Sequence, residues 1–122
     1  MKPTDSELEI LRVLWAKGQA TVREVNDMLN ESREVGYTTT LKMMQLMSQK
    51  GLVNRDASSR THVYAAAIEQ GNVQDKMLDQ LLNTAFGGSA SKLVLNALGR
   101  SNASQHELNE IKELIKKLEK DG

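Results

Sequence analysis

Cysteine is absent from the 122 residues, which excludes disulfides, thiolate metal sites and cysteine nucleophiles and suits a reducing compartment. Aromatic residues make up only 3%, so Leu, Met, Val and Ala must fill the interior. No apolar run approaches the roughly 20 residues that a membrane-crossing helix needs, and nothing resembles a signal peptide. Net charge is also absent: 16 basic side chains balance 16 acidic ones, which argues against a uniformly basic nucleic-acid binder. The hydrophobic residues, 39% of the chain, suffice for a core. The expected state is a soluble, cytoplasmic protein without membrane insertion, either one domain or a small domain with an appended element.

The charge that is present is unevenly placed. Residues 37–66 carry four basic side chains, Lys42, Lys50, Arg55 and Arg60, against the single acid Asp56, whereas residues 67–122 carry seven basic against eight acidic ones. The positive field surrounds Gly36 to Gly51, GYTTTLKMMQLMSQKG. As a helix from Thr38 to Gln49 at about 100° per residue, this stretch puts Thr40, Met43, Met44 and Met47 on one face and Thr38, Lys42, Gln45 and Gln49 on the other. Thr, Lys and Gln reach phosphate oxygens and base edges, and no acid on the helix repels phosphate. The pattern fits a DNA recognition helix; an ordinary packed helix with a solvated face has the same periodicity, and the flanking sequence must decide.

Thr4 and Glu7 have capping-box spacing, which starts a helix at Asp5 that runs to about Ala16 and stops at Gly18. Leu8, Leu11 and Trp15 line one side of it and Ile10, Val13 and Leu14 the other, so it should be covered on two sides. Ala20 is short and extended. Thr21 and Glu24 repeat the capping box, and Val22, Val25, Met28 and Leu29 form the apolar face of a second helix over about 22–30. A polar connector, 30–36, leads to the Thr-rich helix. Leu52 to Asp56 and Thr61 to Ala65 are then strand-like runs around a turn-forming tip, 57–60.

Three helices and a hairpin in about 66 residues describe a winged helix-turn-helix, mainly α with a small two- or three-stranded wing. Residues 1–67 form this domain. Arg60 at the hairpin tip and Arg55 near the strand end are candidate phosphate contacts beside the groove that the third helix enters. Residues 68–122 are helical again. The stretch 70–86 turns Val73, Met77, Leu81, Leu78 and Leu82 inward. The stretch 91–98 contains Leu93, Val94, Leu95 and Leu98 and ends at Gly99. Ser104 and Glu107 cap a last helix whose Leu108, Ile111, Ile115 and Leu118 make a narrow seam suited to a partner helix. This apolar surface exceeds what a small winged domain can cover, which predicts C-terminal dimerisation helices; a compact monomer with these helices folded onto the first is the alternative.

The blocks Leu14 to Val25, LWAKGQATVREV, then Gly36 to Met44, then Lys50-Gly51-Leu52-Val53 and the closing Val63-Tyr64 resemble the penicillinase-repressor family, the BlaI/MecI/CopY group, over almost the whole chain. The resemblance implies a homodimeric transcriptional repressor whose winged helix reads an operator half-site. It implies that Thr38, Thr39 and Lys42 lie at the DNA-facing part of the recognition helix and that the wing touches the backbone. It also implies an Arg at position 46, where this chain has Leu46. Several members are inactivated when a membrane sensor metalloprotease causes cleavage in the dimerisation region at an Asn-Phe bond. The matching positions here are Asn96 and Ala97, with Ala in place of Phe. Copper-responsive members carry C-terminal cysteines, which this chain lacks.

The mechanism expected from these residues is avidity. Each domain makes a modest number of phosphate contacts through Lys42, Lys50, Arg55 and Arg60, and pairing two domains makes the second half-site effectively intramolecular. Two other classes compete. No metal-ligand spacing, P-loop, nucleophile elbow or dinucleotide fingerprint occurs, so neither catalysis nor a cofactor is expected; His62 is read as a wing-strand residue and His106 as a solvated helix-start residue. A protein-interaction winged helix that never touches DNA, and a repressor released by a small-molecule inducer, remain as alternatives.

Overall fold

The computed structural model describes residues 2–122. In chain order the elements are α1 (Asp5–Lys17), α2 (Val22–Leu29), α3 (Tyr37–Lys50), β1 (Val53–Asp56), β2 (Val63–Ala66), α4 (Gln70–Thr84), α5 (Ala90–Arg100) and α6 (Gln105–Asp121). The chain divides into two compact units, one ending at Met77 and one running Leu78–Gly122. Their border lies inside α4, beyond the 67/68 position read from the sequence.

Local chemistry sets the helix ends. The Thr4 hydroxyl accepts from the Glu7 amide at 3.2 Å while the Glu7 carboxylate accepts from the Thr4 amide at 2.9 Å, and Thr21 with Glu24 repeats both bonds. Gly18 stops α1 at φ 86°, and Gly51 stops α3 in the left-handed region at φ 82°. A side chain would be strained at either position.

The core of the N-terminal unit joins Ile10, Leu11 and Leu14 of α1, Val25 and Leu29 of α2, Met44 and Met47 of α3, and Leu52, Val53 and Tyr64 of the hairpin. Each such side chain contributes about 1.5–3 kcal/mol by leaving water. Leu8, Val13 and Trp15 pack partly buried at its edge, so α1 is covered on both sides, as its sequence requires. The Trp15 indole N–H donates to the Ile68 carbonyl at 3.0 Å. Met28, expected inward, is instead 40% exposed; an eight-residue helix leaves it at the margin of the face made by Val22, Val25 and Leu29.

The wing is a two-stranded antiparallel hairpin pairing Val53 with Ala66 through Asp56 with Val63. Ala20 adds a single bridge to Tyr64 through two backbone bonds of 2.9 and 2.8 Å, which ties the α1–α2 link to the wing. The strands are shorter than the sequence runs that announced them: Leu52, Thr61 and His62 lie outside them.

In the C-terminal unit α5 and α6 contain no buried residue. Gly99 does not end α5. Its φ is not positive, so it continues the helix, which reaches Arg100 and is capped at Ser101. Of the α4 residues expected inward, Val73 is buried and Met77 and Leu82 are half-buried, but Leu78 and Leu81 are 50% and 47% exposed.

Candidate nucleic-acid interface

α3 is two-faced along its length. Thr40, Met44 and Met47 are buried, while Thr38, Thr39, Lys42, Gln45 and Gln49 are all exposed. Met43 is half-buried. The helix is aimed by its contacts with α2. Asn26 donates to the Thr40 hydroxyl at 2.8 Å and to the Val35 carbonyl at 3.1 Å, and Asn30 exchanges two bonds with the Val35 backbone. These bonds fix the connector 30–36 and thereby the angle at which α3 leaves α2. No side chain caps α3, which leaves its first-turn N–H groups available to an anion.

The wing lies beside this face. Arg55 is on β1 opposite Tyr64, and Arg60 is on the exposed tip. Asp56, the one acid of the region, has its carboxylate occupied by the Ser58 amide at 2.9 Å, and that hydrogen bonding lowers its pKa. Between α2, α3 and the wing is an open concavity of about 530 Å³. It brings Gln45, Arg55 and Arg60 together and adds Arg23, Tyr37 and His62, which sequence reasoning had not assigned to DNA. Thr38, Thr39, Lys42 and Gln49 line the exposed face of α3 outside it. The Arg23 guanidinium lies 5.2 Å from the centre of the Tyr37 ring, a cation–π arrangement. The only signal for Arg23 in the sequence was its place beside the second capping box.

Lys50 is a correction. Counted from the sequence among the phosphate contacts, it instead donates to the Glu7 carboxylate at 2.7 Å. Glu7 is 5% exposed. Burial disfavours its charge, but the hydrogen bonds from Lys50 and Thr4 outweigh that and lower its pKa. Lys42, by contrast, has no ion pair among the described residues. Leu46 is 50% exposed on the same helix.

The residues expected to pair two chains are only partly covered. Met77, Leu98, Leu108 and Ile111 are half-buried, whereas Leu81, Leu95, Ile115 and Leu118 are exposed, Leu95 by 71%. Asn96 and Ala97 are exposed within α5. Among the described residues no three His, Asp or Glu side chains cluster so as to hold a metal ion, and no helix is long and apolar enough to cross a membrane.

Residues 3–117 match the model of the family described as Penicillinase repressor. The methicillin resistance regulatory protein MecI of Mammaliicoccus sciuri is 21% identical over 114 residues, which cover 93% of each chain. The penicillinase repressor of Bacillus licheniformis is 26% identical over 112 residues, 92% of this chain and 88% of that one. In structure, the chain is similar to the DNA-binding domain of the repressor BlaI, solved in solution, with TM-score 0.51 and 26% identity over 59% of this chain and 93% of that one. That likeness is to a winged helix, the fold class read from the sequence.

Proposed function

The chain belongs to the penicillinase repressor family, and we propose on that premise that it acts as a homodimer occupying palindromic operator sites in double-stranded DNA. As a member of that family it is a transcriptional repressor, not an enzyme. Residues 1–67 are the DNA-binding module and residues 68–122 the dimerisation region. Thr38, Thr39, Lys42, Gln45 and Gln49 face the major groove, and Arg55 and Arg60 meet the backbone beside it.

The observation that carries this reading is the division of α3: Thr40, Met44 and Met47 are consumed by the core, while Thr38, Thr39, Lys42, Gln45 and Gln49, all exposed, are groups suited to phosphates and base edges, with Leu46 the apolar side chain among them. A bound dimer over a promoter excludes polymerase. The exposed apolar residues of α4, α5 and α6 support pairing through the C-terminal helices. Release by proteolysis, with a membrane sensor metalloprotease as the further partner, would act on Asn96–Ala97. That bond is exposed but sits inside α5, so cleavage requires local unwinding first.

A gel shift of the full chain against the promoter of its own operon, with random duplex at the same salt, tests the reading. Tighter binding to the promoter fragment is expected. Equal binding to both, or none to either, would defeat operator recognition.

A further inference from the structure

The concavity between α2, α3 and the wing contains more positive charge than the proposed contacts use. Its lining includes three arginines, Arg23, Arg55 and Arg60, and His62, and no Asp or Glu. The two acids adjacent in sequence to these arginines are engaged elsewhere. Glu24 caps Thr21 and lies 3.5 Å from Lys17, and Asp56 accepts from Ser58. None of the three arginines has a carboxylate partner among the described residues. Arg23 on α2 and Arg55 and Arg60 on the wing therefore line one open space with no carboxylate paired to any of them, and like charges held together without a counter-ion favour an anionic occupant.

We propose that this concavity is a phosphodiester cleft that seats the DNA backbone beside the half-site, with Arg23, steadied on the Tyr37 ring, supplying from α2 a phosphate contact that opposes Arg55 and Arg60 on the wing. The proposal rests on the operator-binding reading and adds to it a third wall. Gln45 identifies the occupant as a strand rather than a small anion: it belongs to the exposed row of α3 and also lines the cleft, so the cleft opens onto the groove-facing surface. The occupant must then continue from one to the other, as a nucleic-acid backbone does. Stacking on Tyr37 restricts the Arg23 side chain before binding, so less freedom is lost when the phosphate arrives.

The test is a salt titration of operator binding by the full chain, comparing wild type with Arg23→Gln, Arg23→Lys and, as a charge control outside the cleft, Arg12→Ala. Removing one phosphate-binding cation should flatten the log–log salt slope by about 1 per half-site, hence about 2 for a dimer on a whole operator. Arg23→Gln should show that change with the fold intact, the melting temperature falling by no more than the loss of one exposed cation–π contact, because Arg23 is exposed. Arg23→Lys should keep the slope, and Arg12→Ala should match wild type. A wild-type slope for Arg23→Gln overturns the cleft while leaving operator binding intact. Failure of wild type itself to bind any duplex would instead reject the underlying reading, and the cleft with it.

Discussion

The Asn26 side-chain amide donates to the Thr40 hydroxyl at 2.8 Å, joining two polar side chains that are 8% and 1% exposed. This bond is the rivet between α2 and α3. Thr40 occupies a core position between Gly36 and Met44, and without a donor its oxygen would be buried with only a long bond to the Gly36 carbonyl, 3.4 Å. Asn26→Ala should therefore cost about 1–3 kcal/mol, the penalty for stranding buried polar groups, which for a domain this size lowers the melting temperature by roughly 5 °C or more. The same change removes one of the two side-chain donors to the Val35 carbonyl, leaving that of Asn30, and loosens the connector, so promoter binding should fall more than random-duplex binding. Thermal unfolding and paired gel shifts read the two effects. An equal loss on both duplexes would deny Asn26 a part in aiming α3.

Lys42 is the exposed cation of α3 with no ion pair among the described residues, and it lies one turn after Thr38 on the exposed row. Lys42→Ala should weaken promoter binding and flatten the salt slope by about 1 per half-site. Since Lys42 does not line the cleft, its effect and that of Arg23 should add. A salt titration that leaves the slope unchanged would remove Lys42 from the phosphate contacts.

What was legible in the chain was local. The three capping boxes each join residues three positions apart, and all three form, because both partners belong to the same first turn. The division of α3 followed from periodicity alone. Contacts that assemble distant segments were not legible. Lys50 meets Glu7 across 43 positions, and nothing near Lys50 in sequence announces an acid. The cleft needs α2, α3 and the wing to converge, so Arg23 looked like any first-turn arginine. Gly99 was misread because glycine's usual role as a stop depends on a left-handed backbone, which the chain does not adopt there.

The Glu7–Lys50 pair gives a prediction about acid stability. The folded state holds the Glu7 carboxyl below its ordinary value of 4.5, against the opposing effect of burial, through Lys50 and Thr4. A depressed carboxyl stabilises the fold above the unfolded value and loses that contribution as pH falls through the folded one. Stability should thus decline as pH drops from near 4.5 downward, and Glu7→Gln should flatten that part of the profile. Lys50→Ala should cost on the order of 1 kcal/mol at neutral pH, the low end because Lys50 is partly exposed. It should leave the salt slope of DNA binding unchanged, in contrast to Lys42→Ala. Urea unfolding across pH, with one salt titration, checks all three. A slope reduced by Lys50→Ala would return Lys50 to the DNA.

The seam of α6 carries the last prediction. Leu108 and Ile111 are half-buried, and Ile115 and Leu118 are 49% and 60% exposed, one above another at helical spacing. A face so placed is stabilised only by a second apolar face, and a second copy of the chain supplies an identical one. Ile111→Ala combined with Ile115→Ala should therefore yield monomers in sedimentation while the N-terminal core, which uses neither residue, stays folded. Each monomer retains α3 and the wing, so its half-site contacts are unaltered. What disappears is the effective concentration of the second reader, on the order of 100 to 10,000-fold in operator affinity. Binding to an isolated half-site should change little, and that contrast separates reduced avidity from a damaged reading surface. A verified monomer that bound the full operator as tightly as wild type would show that the C-terminal helices serve some purpose other than pairing.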